Sequence, residues 1–132
     1  MNILQTQWWT LAVPPEWWAE SDAESILVGD HDGVGSIEIS TLFKEEGEFT
    51  SGDVLEIARD EAEQPLDWQV VELGDLRGVT AGYVHEGSAI REWYVFGGAM
   101  LLFITYSCDE ETLGLDDAAV EEILATLMVV PG

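Results

Sequence analysis

Positive charge is nearly missing from this chain: Lys44, Arg59, Arg77 and Arg91 stand against 27 aspartates and glutamates, a formal charge of -23. Nucleic-acid binding needs Lys and Arg to neutralise phosphates, so a direct nucleic-acid partner is excluded, and anionic membrane surfaces are disfavoured for the same reason. Cys108 is the single cysteine, which rules out an intramolecular disulfide and leaves nothing that points to an oxidising compartment. No stretch reaches about 18 uninterrupted apolar residues, so no transmembrane helix is expected. The opening MNILQTQWW has neither a positive n-region nor a long apolar h-region. Without a signal peptide the expected location is cytoplasmic.

What is present is apolar and aromatic. With 132 residues, 47% of them hydrophobic, and six tryptophans, the chain has the size of one domain that buries roughly two thirds of its unfolded surface. Its longest apolar, β-prone segment is Ile90 to Ser107, IREWYVFGGAMLLFITYS. A Gly97-Gly98 loop predicts a tight hairpin that pairs Val95 with Met100, Trp93 with Leu102 and Arg91 with Ile104. Alternation then puts Trp93, Val95, Met100, Leu102, Ile104 and Tyr106 on one face, and Tyr94, Phe96, Leu101 and Phe103 on the other. A hairpin apolar on both faces belongs in the middle of a sheet with a cover over each.

In chain order, Gln7 to Pro14 alternates as a first strand, with Trp9, Leu11 and Val13 on one face and Trp8, Thr10 and Ala12 on the other. Pro14-Pro15 stops it, and PPEWW reads as a turn leading to a strand at Ile26 to Val28. Ile37, Ile39, Thr41 and Phe43 alternate as a half-exposed strand. The acidic loop KEEGEF follows, and Thr50 with Asp53 predicts a capped helix to about Gln64 with an apolar stripe at Val54, Leu55, Ala58 and Ala62. Strands are predicted at Trp68 to Leu73 and Val79 to His85, with Gly82 as a bulge or close-approach point. After Cys108 an acidic loop leads to a helix from Asp116-Asp117, in which Val120, Ile123, Leu124 and Leu127 recur at the helical period. The expected fold class is α+β, a largely antiparallel sheet of about six to seven strands covered by two helices, in one domain over residues 1–132.

The stretch Trp9-Thr10-Leu11-Ala12-Val13-Pro14-Pro15-Glu16-Trp17, together with Leu102-Phe103-Ile104-Thr105-Tyr106 before an acidic loop and a closing helix, resembles the Mog1/PsbP-like superfamily. Its members often open on a strand that runs into a Pro-x-x-Trp or Pro-x-Trp turn and end on a strand followed by a helix that packs back on the sheet. They include a photosystem extrinsic subunit, a Ran GTPase-binding protein and bacterial chaperone-like proteins that associate with secreted effectors. The resemblance implies an α/β/α sandwich that binds other proteins without catalysis. No functional residue of the family maps onto a position of this chain.

Candidate chemistry is sparse. Asp30, His31 and Asp32 suggest a metal loop, but an EF-hand reading puts Val34 at the fifth ligand position and Thr41 at the twelfth, where a bidentate Glu belongs. An Asp-rich turn is the better account. His31 and His85 are the only histidines, and neither Ser88 nor Ser107 lies in a nucleophile elbow. Cys108 precedes Asp109-Glu110-Glu111, whose carboxylates disfavour a thiolate. Glu92, between Ile90 and Tyr94, is the one carboxylate in an apolar setting suited to acid–base work, though a place near a strand end or beside an arginine accounts for it as well. No cofactor motif and no metal cluster is expected, and the chain is not expected to be an enzyme.

Trp17 and Trp18 lie beside Glu16 and Glu20. Packing explains them best, yet an exposed tryptophan in an acidic surround is also how a hot spot for a basic partner looks. The expectation is therefore a non-catalytic module, monomeric or homodimeric, that binds a basic protein through Trp17, Trp18 and the loop residues Glu45, Glu46 and Glu48. An immunity protein or an effector chaperone has this form. Two alternatives stand beside it: an acidity that reflects a salty cytoplasm, and a small-ligand or enzymatic pocket beside the sheet.

Overall fold

The computed structural model describes residues 2–21, 25–31, 33–62 and 65–130. Asp32 of the Asp-rich loop and the expected helix end at Gln64 lie outside them. Ten strands and two helices run in the order β1 (Asn2–Gln5), β2 (Trp9–Val13), β3 (Trp17–Ser21), β4 (Ser25–Asp30), β5 (Gly35–Phe43), α1 (Ser51–Glu61), β6 (Gln69–Leu73), β7 (Leu76–His85), β8 (Ser88–Gly97), β9 (Met100–Asp109), α2 (Asp117–Leu124) and β10 (Met128–Val129). One short 3-10 turn at Glu110–Thr112 joins β9 to α2. The chain is α+β, with no helix among the described residues long and apolar enough to cross a membrane.

The main sheet has seven antiparallel strands in the order β3-β4-β5-β9-β8-β7-β6. Its topology follows from one crossing. After β5 the chain leaves the sheet, runs through α1 over one face to the far edge, and meanders back through β6, β7, β8 and β9 until β9 pairs with β5. After β9, α2 crosses the opposite face and its C-terminal end delivers β10 to β2. There β1, β2 and β10 form a second, three-stranded antiparallel sheet.

The two covers are unequal. Beneath α1, Val54 and Ala58 pack with Val79, Tyr94, Phe96 and Leu101, and Trp68 meets Tyr94 edge-on while Phe103 stacks on it at 4.7 Å. The other face carries the larger core, where Trp9, Leu11 and Val13 of β2 and Val120, Ile123, Leu124 and Leu127 from α2 and just beyond it close over Trp93, Val95, Leu102 and Ile104. The two helices cover the sheet as expected, α2 sharing its face with β2 of the small sheet.

The central hairpin is present with a different register. Gly97 pairs with Met100, Val95 with Leu102, Trp93 with Ile104 and Arg91 with Tyr106. The loop is thus Gly98-Ala99, one residue on from the expected one, which moves each cross-strand partner by two. Gly98 has φ +60°, the single positive φ at the first loop position that a type II′ turn requires, and this lets alanine take the second. A slip of two preserves the alternation of faces, so every side chain of the hairpin lies on its expected side.

Three further expectations are corrected. Trp17 and Trp18 do not sit in a turn: they begin β3, paired to Asp30 and Gly29 of β4. A Pro-Pro pair before two tryptophans reads as a turn because prolines stop β2, but the chain reverses within Pro14–Trp17, where the Trp17 amide donates to the Pro14 carbonyl at 3.0 Å. Gly82 is not a bulge, since the ladder runs unbroken from Ala81↔Glu92 through Gly82↔Arg91 to Tyr83↔Ile90. Glu92 is neither at an open strand end nor paired with an arginine. It sits mid-strand beside Ala81 and Thr105 and accepts from the Tyr83 hydroxyl at 3.2 Å.

Candidate partner-binding surface and an apolar cleft

The acidic loop between β5 and α1 is built on the hairpin tip. The Lys44 amide donates to the Ala99 carbonyl at 2.9 Å, and the Phe49 amide donates to the Gly98 carbonyl at 2.8 Å. Both ends of the loop are pinned, and Gly47 turns the chain between them with φ +76°. Beyond it, Thr50 caps α1 as expected: its hydroxyl accepts from the Asp53 amide, and the Asp53 carboxylate accepts from the Thr50 amide.

The loop's one cation is already committed. Lys44 Nζ lies 3.1 Å from Asp53 Oδ2, donates to the Glu48 carbonyl at 3.4 Å and sits 5.5 Å from the Phe49 ring centre. The Lys44 ammonium, followed by the Thr50 amide, holds the Asp53 carboxyl below its ordinary value. Glu45, Glu46 and Glu48 are exposed, with the nearest lysine turned towards the helix cap. Three exposed glutamates are thus carried on a loop whose backbone is held at both ends against the hairpin tip.

Trp17 and Trp18 do not join that loop. Trp17 is buried in the larger core. Trp18 is half-buried, its ring lies over Gly29, and its indole N–H donates to the Asp30 carbonyl at 3.2 Å. The tryptophan that reaches the surface is Trp8, 42% exposed, which meets the 50% exposed Phe43 edge-on with ring centres 5.0 Å apart. Phe43 is the residue before Lys44, so this aromatic pair adjoins the acidic loop. The signal was in the alternation of β2: when Trp9 goes inward on that strand, Trp8 is turned away from the core.

Elsewhere the surface carries a cleft of about 300 Å³ lined by Gly82, Ala89, Tyr106, Cys108 and Leu113, with Asp117 among its walls. It is mostly apolar. Burial, and then the 2.6 Å hydrogen bond that the Tyr106 hydroxyl donates to Asp116, push the phenol far above its ordinary pKa. Glu92 is on the α1 side of β8 and takes no part in the cleft. Desolvation raises its pKa, and the Tyr83 hydrogen bond opposes that shift. His85 is exposed and lies 3.8 Å from Glu86, and it pairs with Ser88 only across the hairpin ladder. Ser107 faces water. Among the described residues the His85 side chain makes no hydrogen bond to Ser88 or Ser107, and no three His, Cys, Asp or Glu side chains converge on a metal position.

No protein-family model matches the chain, and no curated protein matches it. Solved structures do match its fold. A protein from Bacteroides thetaiotaomicron VPI-5482 superposes with a TM-score of 0.68 at 19% identity over 94% of this chain. The match takes in 46% of that protein, so this chain spans under half of its length. LpqN of Mycobacterium tuberculosis, described as involved in cell envelope biogenesis, superposes with a TM-score of 0.63 at 18% identity, over 93% of this chain and 83% of LpqN. At such identities the likeness is one of fold: these are small α+β proteins of the same kind.

Proposed function

We propose that this chain is a non-catalytic protein-binding module whose acidic surface docks a basic protein. The observation that carries the reading is the pinned loop with Glu45, Glu46 and Glu48 exposed and uncompensated. The rest of the chain adds to it, because its few cations are largely engaged at home. Lys44 pairs with Asp53 and Arg91 with Glu121 at 3.3 Å, and Arg77 lies over the Phe96 ring at 5.3 Å. A fixed field of one sign steers an oppositely charged partner and raises its association rate. The resemblance to the Mog1/PsbP-like superfamily, whose members bind other proteins, favours the same reading. An immunity protein or a chaperone of a secreted effector, acting in the cytoplasm as a monomer or homodimer, is the form proposed.

The test is capture of partners by a tagged copy in its native host at low salt. A basic protein should be retained, and released by a Glu45→Gln, Glu46→Gln, Glu48→Gln variant. Recovery of no basic protein overturns the proposal. A second reading is favoured by the spread of the charge: Glu20, Glu56, Glu72, Glu86 and Glu122 are exposed on separate elements, as adaptation to a saline cytoplasm would place them.

A further inference from the structure

We infer that the surface formed by Trp8, Phe43 and the Glu45–Glu48 loop is an arginine-reading site, which docks a partner segment rich in arginine rather than lysine. This rests on the reading of the chain as a module for basic partners and specifies the side chain that is read. Two features combine here. Trp8 and Phe43 expose 42% and 50% of their surface as an edge-on aromatic pair, and the exposed Glu45, Glu46 and Glu48 follow from two residues after Phe43, on a loop whose backbone is held at both ends. An arginine guanidinium is planar and weakly hydrated, so it stacks on a ring face while its N–H groups fork onto a carboxylate. A lysine ammonium can also sit over a ring, as Lys44 does 5.5 Å from the Phe49 centre, but as a strongly hydrated point charge it neither stacks flat nor forks onto a carboxylate, so it matches the surface less well.

The protein already uses this chemistry on itself. Arg91 lies 4.7 Å from the Trp93 ring centre while Nη1 reaches Glu121 at 3.3 Å, a guanidinium held between an aromatic face and a carboxylate. Arg77 lies over Phe96. Among the described residues none of the cation–ring contacts involves Trp8 or Phe43. The Trp8 and Phe43 rings thus carry no cation, the neighbouring Lys44 being held on Asp53 and Phe49, and the net charge of -23 selects a basic occupant over an acidic or neutral one.

The experiment uses two labelled synthetic peptides of equal length and charge, one alternating Arg and Ser, the other Lys and Ser, titrated by fluorescence anisotropy at about 50 and 150 mM salt. The arginine peptide should bind at least threefold more tightly, as expected of one or two exposed cation–ring contacts. Trp8→Leu and Phe43→Leu, measured singly with their melting curves, should erase that preference by weakening the arginine peptide more than the lysine peptide. Glu45→Gln, Glu46→Gln, Glu48→Gln should weaken both peptides. Equal affinity for the two peptides on the unaltered protein, or a preference that survives both leucine variants, overturns the arginine site while the acidic-docking reading stands. Binding of neither peptide at low salt overturns both.

Discussion

At the scale of single residues, Glu92 and Gly35 show opposite ways in which a side chain is constrained. Glu92 faces the α1 side of the sheet between Ile90 and Tyr94, and desolvation raises its pKa. Its folded-state pKa therefore lies above its unfolded one. The ionised carboxylate costs stability at neutral pH, and that cost is relieved as pH falls through the folded pKa. Glu92→Gln keeps an oxygen for the Tyr83 hydroxyl and removes the charge, so it should raise the melting temperature at pH 7 and have no such benefit at pH 4. A lower melting temperature for the variant at pH 7 would count against the desolvation account. Gly35 is constrained by what stands over it: a Cβ there would collide with the Tyr106 ring and come within 2.8 Å of the Ser107 carbonyl oxygen. The carbonyl cannot move without breaking the β5–β9 ladder, so Gly35→Ala should cost about 2 kcal/mol, an overpacking penalty, read from urea denaturation. The sequence marks the apolar setting of Glu92, but not the constraint on Gly35. Gly35 reads there as turn chemistry, because the ring that occupies its missing side-chain volume lies 71 positions away on β9.

At the scale of elements, local chemistry was legible and marginal elements were not. The Thr50–Asp53 capping box was readable because its two hydrogen bonds depend on residues three apart and on nothing else in the fold. Thr50→Ala leaves the Asp53 amide without its cap and should destabilise the protein by about 1 kcal/mol in denaturant unfolding, with Thr50→Ser close to neutral. Asp53 also carries a pH signature. Its folded-state pKa is lowered by Lys44 and Thr50, so its contribution is complete above the ordinary carboxylate value and is lost as pH falls through the lowered one. Lys44→Met should flatten the acid limb of the unfolding curve in that window, and an unchanged limb would sink the Lys44–Asp53 assignment. By contrast, β1 shows only Leu4 half-buried in the pattern Asn2–Gln5, and β10 has two residues. Neither is long enough to display a period. They exist because β2 presents two free edges once its inner face has docked on the core, a condition set by tertiary packing. The same limit hid the surface at Trp8: alternation in β2 assigns its direction, but its neighbour Phe43 comes from β5, and only the assembled fold brings the two rings together.

For the whole molecule the question is whether -23 charges are a tool or a habitat. The accessible surface is 7854 Å², which gives about 340 Å² per net charge and a mean spacing of about 18 Å. That spacing is roughly twice the Debye length of about 8 Å at physiological ionic strength, but well inside the roughly 30 Å that applies near 0.01 M salt. Self-repulsion should therefore destabilise the fold in dilute buffer and be largely screened by about 0.15 M. Under the binding reading, the melting temperature rises steeply over that first interval and then levels, because evenly spread charge has little repulsion left to screen. The clustered Glu45, Glu46 and Glu48 add a smaller component that their glutamine variants should remove. Under the saline reading, the curve keeps climbing into molar salt, where screening is complete and stabilisation has to come from exclusion of salt from the protein surface. A melting curve measured in sodium chloride from about 0.01 to 3 M separates the two by its shape alone. A plateau keeps the acidic surface as a docking device; a continued rise assigns most of the charge to the environment and leaves the Trp8–Phe43 loop surface as the one region whose acidity still needs a partner to explain it.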